Sequence, residues 1–489
     1  GLESSWQIAY IGLVKGVAPM PSWAAKGRET VRKVVVALAA LGALTALLVG
    51  SSGAGAGPTP KSYVIATSSG SLPANIAAQI QAAGGTLTNT IPQVGVAVAT
   101  STSADFKAKA AKIGTVSANV RLQWVEPVKQ VAGPGVDFAN PPTSGDDDVF
   151  FDLQWGHDAI DAVEAWNAGY RGAGARVAVL DTGFDLDHPD LAPNINMALS
   201  TDFTGQGLQY TLPDPFSHGT HTAGTVAAAD NAFGTIGVAP DAELVLVKVL
   251  FDEGFGTFED VVEGIVYAAG PADADVISMS LGAVIPKAGD PTDPDLDTPE
   301  EVAALKHTMN RATNYAYRQG TFVIASAGND AIDRDAATDL LVLPADSQNV
   351  TQVSATAPIG WATDPANTFL DNQTSYTNFG RSKIDFAAPG GDFVYPGNEN
   401  CTIVVTRPCW VFDLVFSTGN NAWFWAAGTS MSAPHVAGTA AIIIGKNGGD
   451  MSPARVYNAI QAGADDLGPP GKDDAYGRGR VNAGNSVAP

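Results

Sequence analysis

Short apolar runs alternate with amphipathic stretches from about residue 149 to the end of the chain. Residues 176–180, 243–249, 276–279 and 321–325 are nearly continuous in hydrophobic side chains. Runs of this kind are typical of parallel strands that helices bury on both faces. Helical periodicity separates them, as in residues 258–269 and 302–318. The pattern predicts one large α/β domain, residues 149–489, built on a parallel sheet.

A smaller unit precedes this domain, at residues 61–130. Its pattern predicts, in order, a strand, a helix, two strands, a helix and a last strand, at residues 63–67, 74–83, 86–91, 94–98, 104–113 and 121–125. This order is the ferredoxin-like α+β arrangement. Residues 131–148 are rich in Pro, Gly and Asp and lack periodicity, so they are predicted to be a linker.

Residues 1–56 have the features of an export leader. Several basic residues precede the apolar run 34–49, and small residues follow it. This order predicts a secretory signal peptide cleaved near residues 54–56, with translation starting at Met20. The run is short for a membrane span, so an uncleaved anchor helix is the weaker alternative. The mature protein is therefore expected to be secreted and extracellular, without stable membrane association.

The composition narrows the classes of function. The chain has 489 residues, with 27 Lys plus Arg against 50 Asp plus Glu and a formal net charge of −23. This balance argues against a nucleic-acid partner, because phosphate binding needs clustered basic residues. Two cysteines are too few for a four-thiolate zinc site or a disulfide-dense scaffold. We expect a soluble, acidic, monomeric protein of several parts.

Four polar positions of the large domain lie at the ends of predicted elements. Asp181 ends a buried strand in Val-Ala-Val-Leu-Asp-Thr-Gly, and His218 opens a helix in Ser-His-Gly-Thr-His. Asn329 follows another strand in Ser-Ala-Gly-Asn, and Ser430 lies in Gly-Thr-Ser-Met-Ser-Ala-Pro-His, a turn that leads into an apolar helix. The carboxyl ends of parallel strands are where α/β sheets bind ligands. Taken singly, Asp181 is also typical of a turn and Ser430 of a helix N-cap.

Together these segments resemble the subtilisin-like serine proteases, the subtilase family, over essentially all of residues 149–489. The resemblance implies Ser430 as nucleophile, His218 as general base and Asp181 as the carboxylate that orients the imidazole, in the chain order of subtilisin. It implies Asn329 as the side-chain donor to the oxyanion. The chemistry agrees, because a serine hydroxyl is a poor nucleophile until an imidazole takes its proton. The implied activity is hydrolysis of peptide bonds in extended polypeptides.

The resemblance also implies where a polypeptide substrate binds. The edge segment Gly254, Phe255 and Gly256 would pair with an extended peptide. The primary specificity pocket and a more distant apolar subsite are implied at two further sets of residues, namely Ser280, Leu281, Gly282, Ala327 and Gly328 for the first and Leu250, Phe258 and Val261 for the second. Asp252 and Glu253, beside this edge, are expected to be solvated loop acids, with a preference for basic substrate residues as the alternative.

A structural Ca²⁺ site is implied by the loop that follows the His218 helix. The ligands implied by the resemblance are Asp190, Ala229, Asn231, Phe233 and Thr235. Carboxylate, amide and carbonyl oxygens are the hard ligands that calcium prefers. Phe151 or Asp152 stands where the family has an N-terminal amide ligand. The acidic stretch 290–301 is expected to be a solvated surface loop, with a second cation site as the alternative.

Residues 61–130 resemble the inhibitory propeptide of the family. The implied protein is a zymogen whose own propeptide blocks the cleft until it is cut between about residues 131 and 149.

Cys401 and Cys409 are expected to form a disulfide outside the cytoplasm, with two free thiols as the alternative. Two rival functions stay open, namely a dedicated processing protease for one partner precursor and a catalytically silent binding protein on a protease fold.

Overall fold

The structure, a computed structural model, describes residues 59–135 and 145–488. The predicted leader and residues 136–144 of the predicted linker lie outside the described residues. Within the described part of the chain, no helix is long and apolar enough to cross a membrane.

The helices and strands follow one another closely along the described chain. The strands are β1 (Lys61–Thr67), β2 (Thr86–Ile91), β3 (Val96–Ser101), β4 (Gly114–Ala118), β5 (Arg121–Gln123), β6 (Lys129–Ala132), β7 (Arg176–Asp181), β8 (Thr201–Asp202), β9 (Glu243–Lys248), β10 (Phe255–Thr257), β11 (Val276–Met279), β12 (Ala283–Pro286), β13 (Phe322–Ser326), β14 (Leu340–Leu343), β15 (Val350–Ala357), β16 (Asn372–Gln373), β17 (Phe386–Pro389), β18 (Asn400–Ile403), β19 (Val405–Pro408), β20 (Val415–Gly419) and β21 (Ala422–Ala427). The helices are α1 (Ile76–Ala83), α2 (Phe106–Ala110), α3 (Trp155–Ala159), α4 (Ala162–Asn167), α5 (His218–Ala227), α6 (Phe258–Ala269), α7 (Pro299–Gln319), α8 (Thr429–Lys446), α9 (Pro453–Gly463) and α10 (Ala483–Ser486).

An eight-stranded sheet lies at the centre of the large domain, in the order β16-β15-β13-β11-β7-β9-β8, with β17 also paired to β15. Its pairs are parallel except for β15 with β16. Val177 and Val179 of β7 pack in one apolar cluster with α5 and α8, whereas Ala178 and Leu180 pack in another with α6 and α7. Helices therefore bury both faces, which confirms the predicted α/β fold with a parallel sheet.

The predicted strands of this sheet match the observed ones closely, because buried parallel strands carry their signal in their own sequence. β7, β9, β11 and β13 each begin and end within one residue of the predicted bounds. Helix α7 begins three residues before its predicted start at residue 302. The Thr298 side chain caps the N–H of Glu301, and Pro299 occupies the first turn, where its missing N–H costs nothing.

The small N-terminal domain is a four-stranded sheet in the order β2-β3-β1-β4, with α1 and α2 on one face. The prediction of 121–125 as the last strand of this sheet is wrong. Gly114–Ala118 forms that strand, and residues 121–123 pair with β10 of the large domain. The sequence does not indicate β4 because its small and polar residues show no apolar alternation.

The second face of the small sheet packs against the large domain. Val64, Ala66 and Val96 share an apolar cluster with residues of α6 and α7. At the rim, Lys61 pairs with Asp295 at 2.6 Å, and Lys107 pairs with Glu301. The acidic stretch 290–301 thus contributes carboxylates to the contact between the domains, in addition to its exposed positions.

Candidate active site

The carboxyl end of β7 and the start of α5 bring Asp181 against His218. Asp181 is fully buried, and its Oδ1 lies 2.7 Å from Nδ1 of His218. The N–H of Thr182 donates to Oδ1, and the hydroxyl of Thr222 donates to Oδ2. A carboxylate held in this way fixes the orientation of the imidazole and the proton on Nδ1, so that Nε2 is the basic nitrogen.

Ser217 sets the position of His218 by capping α5. Its hydroxyl accepts from the N–H of Thr220 at 3.1 Å and donates to the carbonyl of Gly183 at 2.8 Å. The cap satisfies one of the unpaired N–H groups of the helix start. The same side chain thereby joins the start of α5 to the turn that follows Asp181.

A buried ion pair lies beneath this turn. Lys248, the last residue of β9, and Asp252 are both buried, and Nζ lies 2.5 Å from Oδ1. The N–H of Gly183 donates to the same carboxylate oxygen at 3.2 Å. The expectation of a solvated acid is therefore wrong for Asp252, while Glu253 is exposed as expected. Lys248, a charge at the end of the apolar run of β9, is the sequence signal for this pair, because a buried lysine needs a partner.

Ser430 is the second residue of α8 and is buried at the head of that helix. Its hydroxyl donates to the carbonyl of Ser280 at 3.2 Å, and the Ser280 hydroxyl donates to the carbonyl of Ser430 at 2.7 Å. Backbone N–H groups at a helix start, with the positive end of the helix dipole, favour negative charge near the Ser430 side chain. His218 Nε2 has no hydrogen-bond partner among the described residues, because the Ser430 hydroxyl donates to the Ser280 carbonyl.

Asn329 follows β13 and faces the start of α8. Its Oδ1 accepts from both the N–H and the hydroxyl of Thr429, each at 2.8 Å. Because the oxygen is engaged, Nδ2 is the part of the amide left to donate. Gly328 has a φ of +100°, and a Cβ there would lie 2.4 Å from Nδ2 of Asn378. The turn that presents Asn329 therefore requires glycine.

Residues 121–132, which we call the cleft segment, lie in extended form beside these side chains. β5 pairs antiparallel with β10. Trp124 donates its N–H to the carbonyl of Gly254 at 3.0 Å and accepts from the N–H of Gly282 at 2.7 Å. The segment is thus held between the two edges, 254–256 and 280–282, that the resemblance implies for an extended peptide.

The Trp124 side chain fills an apolar pocket of the large domain. It is 1% exposed, and its Nε1 donates to the carbonyl of Gly256 at 3.0 Å. Leu250, Phe258 and Val261, the residues implied for the distant apolar subsite, belong to the same buried cluster as Trp124. Leu250 lies close to the indole, because a Cβ at Gly256 would be 2.5 Å from Cδ2 of Leu250 and 3.3 Å from Cδ1 of Trp124.

The middle of the cleft segment passes the catalytic side chains. Glu126 and Pro127 line a cavity with Ser430 and Asn329, and the same two residues line an adjoining cavity with His218. Val128 lies next to Gly428, where a Cβ would be 3.4 Å from its Cγ1. Beyond this point β6 pairs antiparallel with β21.

The residues implied for the primary specificity pocket divide into two groups. Leu281, Gly282 and Gly328 line the cavity beside Ser430. Ser280 and Ala327 are buried and do not line it. Asp330 does line it, and burial together with the charge of Asp330 raises the pKa of Glu126. Asp330, which is not among the predicted site residues, makes this pocket acidic.

The predicted calcium loop wraps around Asp190. The N–H of Thr235 and Nε1 of Trp423 each donate to Oδ2 at 2.8 Å, while Oδ1 is buried without a partner among the described residues. Burial raises the pKa of Asp190 to about 6. A Cβ at Gly234, with φ of +61°, would lie 2.1 Å from Oδ2, so the loop closes tightly on the carboxylate. A buried carboxylate oxygen without a donor fits a hard cation.

A second group of carboxylates lies beside the same loop. Asp146, Asp147, Asp148 and Asp230 each offer an oxygen within 4.8 Å of the others. Asp148 Oδ1 also accepts from the N–H of Phe233 at 3.1 Å, which places these acids next to the predicted ligands. The resemblance implies an N-terminal ligand at residues 151–152, and the acids at 146–148 are not predicted as ligands because their composition indicates a linker.

Cys401 and Cys409 are joined in a disulfide with an S–S distance of 2.00 Å. The bond closes the hairpin formed by β18 and β19. The residue after Cys409 is Trp410, so the bond also fixes the start of the segment that leads to β20.

Known proteins resemble this chain in sequence and in fold. The thermophilic serine proteinase of Bacillus sp. (strain AK1) is 30% identical over 377 residues, which is 77% of this chain and 77% of that protein. Thermitase of Thermoactinomyces vulgaris is 32% identical over 342 residues, covering 70% of this chain and 98% of that protein. The epidermin leader peptide processing serine protease of Staphylococcus aureus superposes with a TM-score of 0.67 at 22% identity. The superposition covers 88% of this chain and 100% of that protein.

The match to the subtilase family spans residues 172–479 and so includes all four candidate catalytic side chains. Within that span the structure places a carboxylate, an imidazole, a serine and an amide at one end of a parallel sheet. The chain therefore belongs to the subtilase family of S8 peptidases and is a serine endopeptidase of the subtilisin type.

Proposed function

We propose that this protein is a secreted endopeptidase that is made as a zymogen and activated by cutting its own cleft segment. The cleft segment is the observation that carries the proposal. It pairs with β10 before the catalytic side chains and with β21 after them, as an extended substrate would. While it stays there, other polypeptides are excluded, so the small domain acts as an intramolecular inhibitor.

The geometry supports the roles expected of the catalytic side chains. The Ser430 hydroxyl attacks the peptide carbonyl while His218 Nε2 takes its proton, and Asp181 stabilises the imidazolium that forms. The N–H of Ser430 and Nδ2 of Asn329 donate to the oxyanion. His218 then protonates the departing amine, and water hydrolyses the acyl-enzyme by the same steps in reverse order. In this second half His218 takes a proton from the attacking water and passes it to the Ser430 oxygen as the acyl bond breaks, which releases the carboxylic acid and restores the enzyme.

The first cut is proposed at the bond between Pro127 and Val128. Pro127 lines the cavity of Ser430 and Asn329, and Val128 lies beside Gly428. The alternative bond, between Glu126 and Pro127, has a proline nitrogen as its leaving group and a rigid ring next to the nucleophile. This position is earlier in the chain than the interval of residues 131–149 that the linker composition suggests.

Export and calcium binding complete the proposal. The disulfide between Cys401 and Cys409 supports export, because disulfides persist in oxidising environments outside the cytoplasm. Asp190 and the loop residues Ala229, Asn231, Phe233 and Thr235 would hold a Ca²⁺ ion, with the acids at 146–148 nearby. The ion supplies positive charge that the buried oxygens lack, and so it would tie the loop after α5 to the start of the large domain.

Expression of the precursor beside its Ser430→Ala variant tests this function. The wild-type precursor is expected to mature, to hydrolyse casein and to react with a fluorophosphonate, and the variant to do none of these. If the purified variant matures as fast as the wild type, self-processing is wrong. If the wild type neither cuts casein nor reacts with the probe, the protein is not a working serine endopeptidase.

A dedicated processing protease is the second candidate. The cleft segment buries Trp124 in an apolar pocket and lines a cavity together with the acidic Asp330, and such specific contacts favour a restricted substrate range. A solved protein of the same fold processes leader peptides. A peptide library cut at only one type of sequence would favour this candidate, and broad cleavage would favour the general endopeptidase.

A further inference from the structure

We infer that the cleft has a cation-binding subsite on the C-terminal side of the cut bond, formed by the ring of Trp410. This subsite favours Lys or Arg at the substrate residue that pairs with Ala427. The inference rests on the proposed function, because it takes the cleft segment as the pattern of a bound substrate.

The strand pairing fixes which residue reaches the subsite. Lys129 lies opposite Ala427, and Val131 lies opposite Trp425. β20 occupies the other edge of β21, so the edge that β6 covers is the one open to a substrate. After the proposed cut β6 belongs to the new N-terminus of the large domain, and this edge is uncovered when that N-terminus leaves the cleft. A substrate would add to this edge as a strand, with its backbone bonded to β21 and its side chains free to enter neighbouring pockets.

The side chains of β6 point alternately to two walls of the groove. Gln130 lies 3.4 Å from Oδ2 of Asp214, measured from its Nε2. Lys129, whose side chain points to the opposite face as strand geometry requires, has its Nζ 5.0 Å from the centre of the Trp410 ring. This distance lies within the range of a cation–π contact, for which indole is the strongest partner.

The disulfide-closed hairpin holds Trp410 in place before any substrate arrives. Trp410 follows Cys409, whose bond to Cys401 anchors it to β18. Arg407 of β19 lies 6.0 Å from the centre of the Trp425 ring, which ties the hairpin to β21 itself. Trp410 is half-buried and packs against the aromatic cluster below the groove. A ring that is fixed in advance loses little entropy on binding.

A cation is the group that this wall recognises, for two reasons. The face of an indole ring carries negative charge density, which attracts an ammonium or guanidinium and repels a carboxylate. The chain also has a formal net charge of −23, so its field draws cationic segments to the surface. At an exposed site a cation–π contact corresponds to about a two- to fivefold preference.

Internally quenched peptides with the sequence of residues 122–132 test the subsite on the mature wild-type enzyme. We expect kcat/KM to fall about two- to fivefold for a Lys129→Met peptide, to be kept for Lys129→Arg and to fall further for Lys129→Glu. A Gln130→Met peptide is the matched control on the opposite wall. The masses of the products show which bond is cut, and so whether the lysine occupies the second position after it.

Two enzyme variants assign the preference to the ring. Trp410→Leu keeps an apolar side chain without a π-face, so it should cut the lysine and methionine peptides at equal rates. Trp410→Phe should keep part of the preference, and its use covers the case in which the leucine variant does not fold. The readout in both variants is the ratio of kcat/KM between the lysine and methionine peptides, which a general loss of activity would leave at the wild-type value.

The outcomes separate this inference from the proposed function. Equal cleavage of the lysine and methionine peptides by the wild type, or a preference that survives in Trp410→Leu, would overturn the subsite while leaving the peptidase intact. A wild-type enzyme that cuts neither casein nor any of the peptides would instead contradict the proposed function, and with it the basis of the subsite.

Discussion

The two main sheets of the molecule differ in the source of the helices that cover them. The central sheet is covered by helices of its own domain, with α5 and α8 on one face and α6 and α7 on the other. The small sheet is covered by its own α1 and α2 on one face only. Its second face lies on α6 and α7 of the large domain. These two helices therefore serve both sheets.

This difference shows that the small domain depends on the large one for its core. Without that contact Val64, Ala66 and Val96 would face water, and a unit of about 70 residues with one covered face buries little apolar surface. The large domain has a complete core of its own. Once the connection is cut, the small domain has no covalent tie to the surface that stabilises it, which favours its release.

The largest expected effect is on the small domain by itself. Residues 60–132 produced alone should show no cooperative thermal transition by circular dichroism, because one face of the sheet is uncovered. Structure should return when the large domain carrying Ser430→Ala is added. A sharp melting transition in the isolated fragment would contradict the comparison.

Trp124 is expected to contribute most to the contact in the cleft. Trp124→Ala should cost about 3–5 kcal/mol, because it empties a pocket in which the indole is almost wholly buried. The loss should appear as an inhibition constant of the fragment that is weaker by a factor of roughly 100 or more. Trp124→Phe, which keeps a ring and loses the bond to Gly256, is the control and should cost about 1 kcal/mol. Equal inhibition by the alanine variant would rule out this anchor.

Removal of calcium should lower the thermal stability of the large domain, which contains the predicted ion site. A chelator is expected to lower its thermal midpoint, because an ion present at a hundred times its dissociation constant contributes about 2.7 kcal/mol. Asp190→Asn should abolish the response by removing the buried carboxylate charge. Differential scanning calorimetry with and without Ca²⁺ measures both effects. An unchanged midpoint in the chelator would show that the loop holds no structural ion.

Acid should also destabilise the core of the large domain, through His157. Burial, with a smaller effect of His435, lowers the pKa of His157 to about 3. The unfolded chain binds a proton at this residue below about pH 6.5 while the folded chain does not, so stability falls as the pH drops from 6.5 towards 3. By pH 5 the loss is about 2 kcal/mol.

A His157→Phe variant, made in the Ser430→Ala precursor to prevent self-digestion, isolates this loss. The phenylalanine suits the aromatic surroundings, in which Phe151 and Trp166 contact the imidazole ring. Urea unfolding at pH 7 and pH 5 should show the variant losing about 2 kcal/mol less than its parent between the two values. Parallel losses in both proteins would mean that His157 does not titrate as a buried neutral group.

The sequence predicts those features that depend on neighbours in the chain. The strands β7, β9, β11 and β13 carry their own apolar signal, and the segments around Asp181, His218 and Ser430 combine several recognisable residues each. Asn329 follows a strand end, so its place at the same edge of the sheet also follows from the topology. The fold of the large domain could therefore be predicted from the sequence, and so could the position of these side chains at one edge of the sheet.

The features that the sequence did not indicate arise from contacts between distant segments. Residues 121–123 look like a strand of the small domain but pair with β10, because the strand pattern does not reveal its partner. Asp252 looks like a loop acid and becomes buried only when Lys248 of β9 lies beneath it. The acids at 146–148 have the composition of a linker, and only the fold brings them to the loop around Asp190.

The N-terminal residue of the newly matured enzyme tests the central claim most directly, namely that the cleft segment is the first substrate of Ser430. N-terminal sequencing at the earliest time point after maturation begins should give Val128, and the Ser430→Ala precursor should stay intact under the same conditions. A first N-terminus in residues 133–149, or the same cut in the Ser430→Ala precursor, would contradict it.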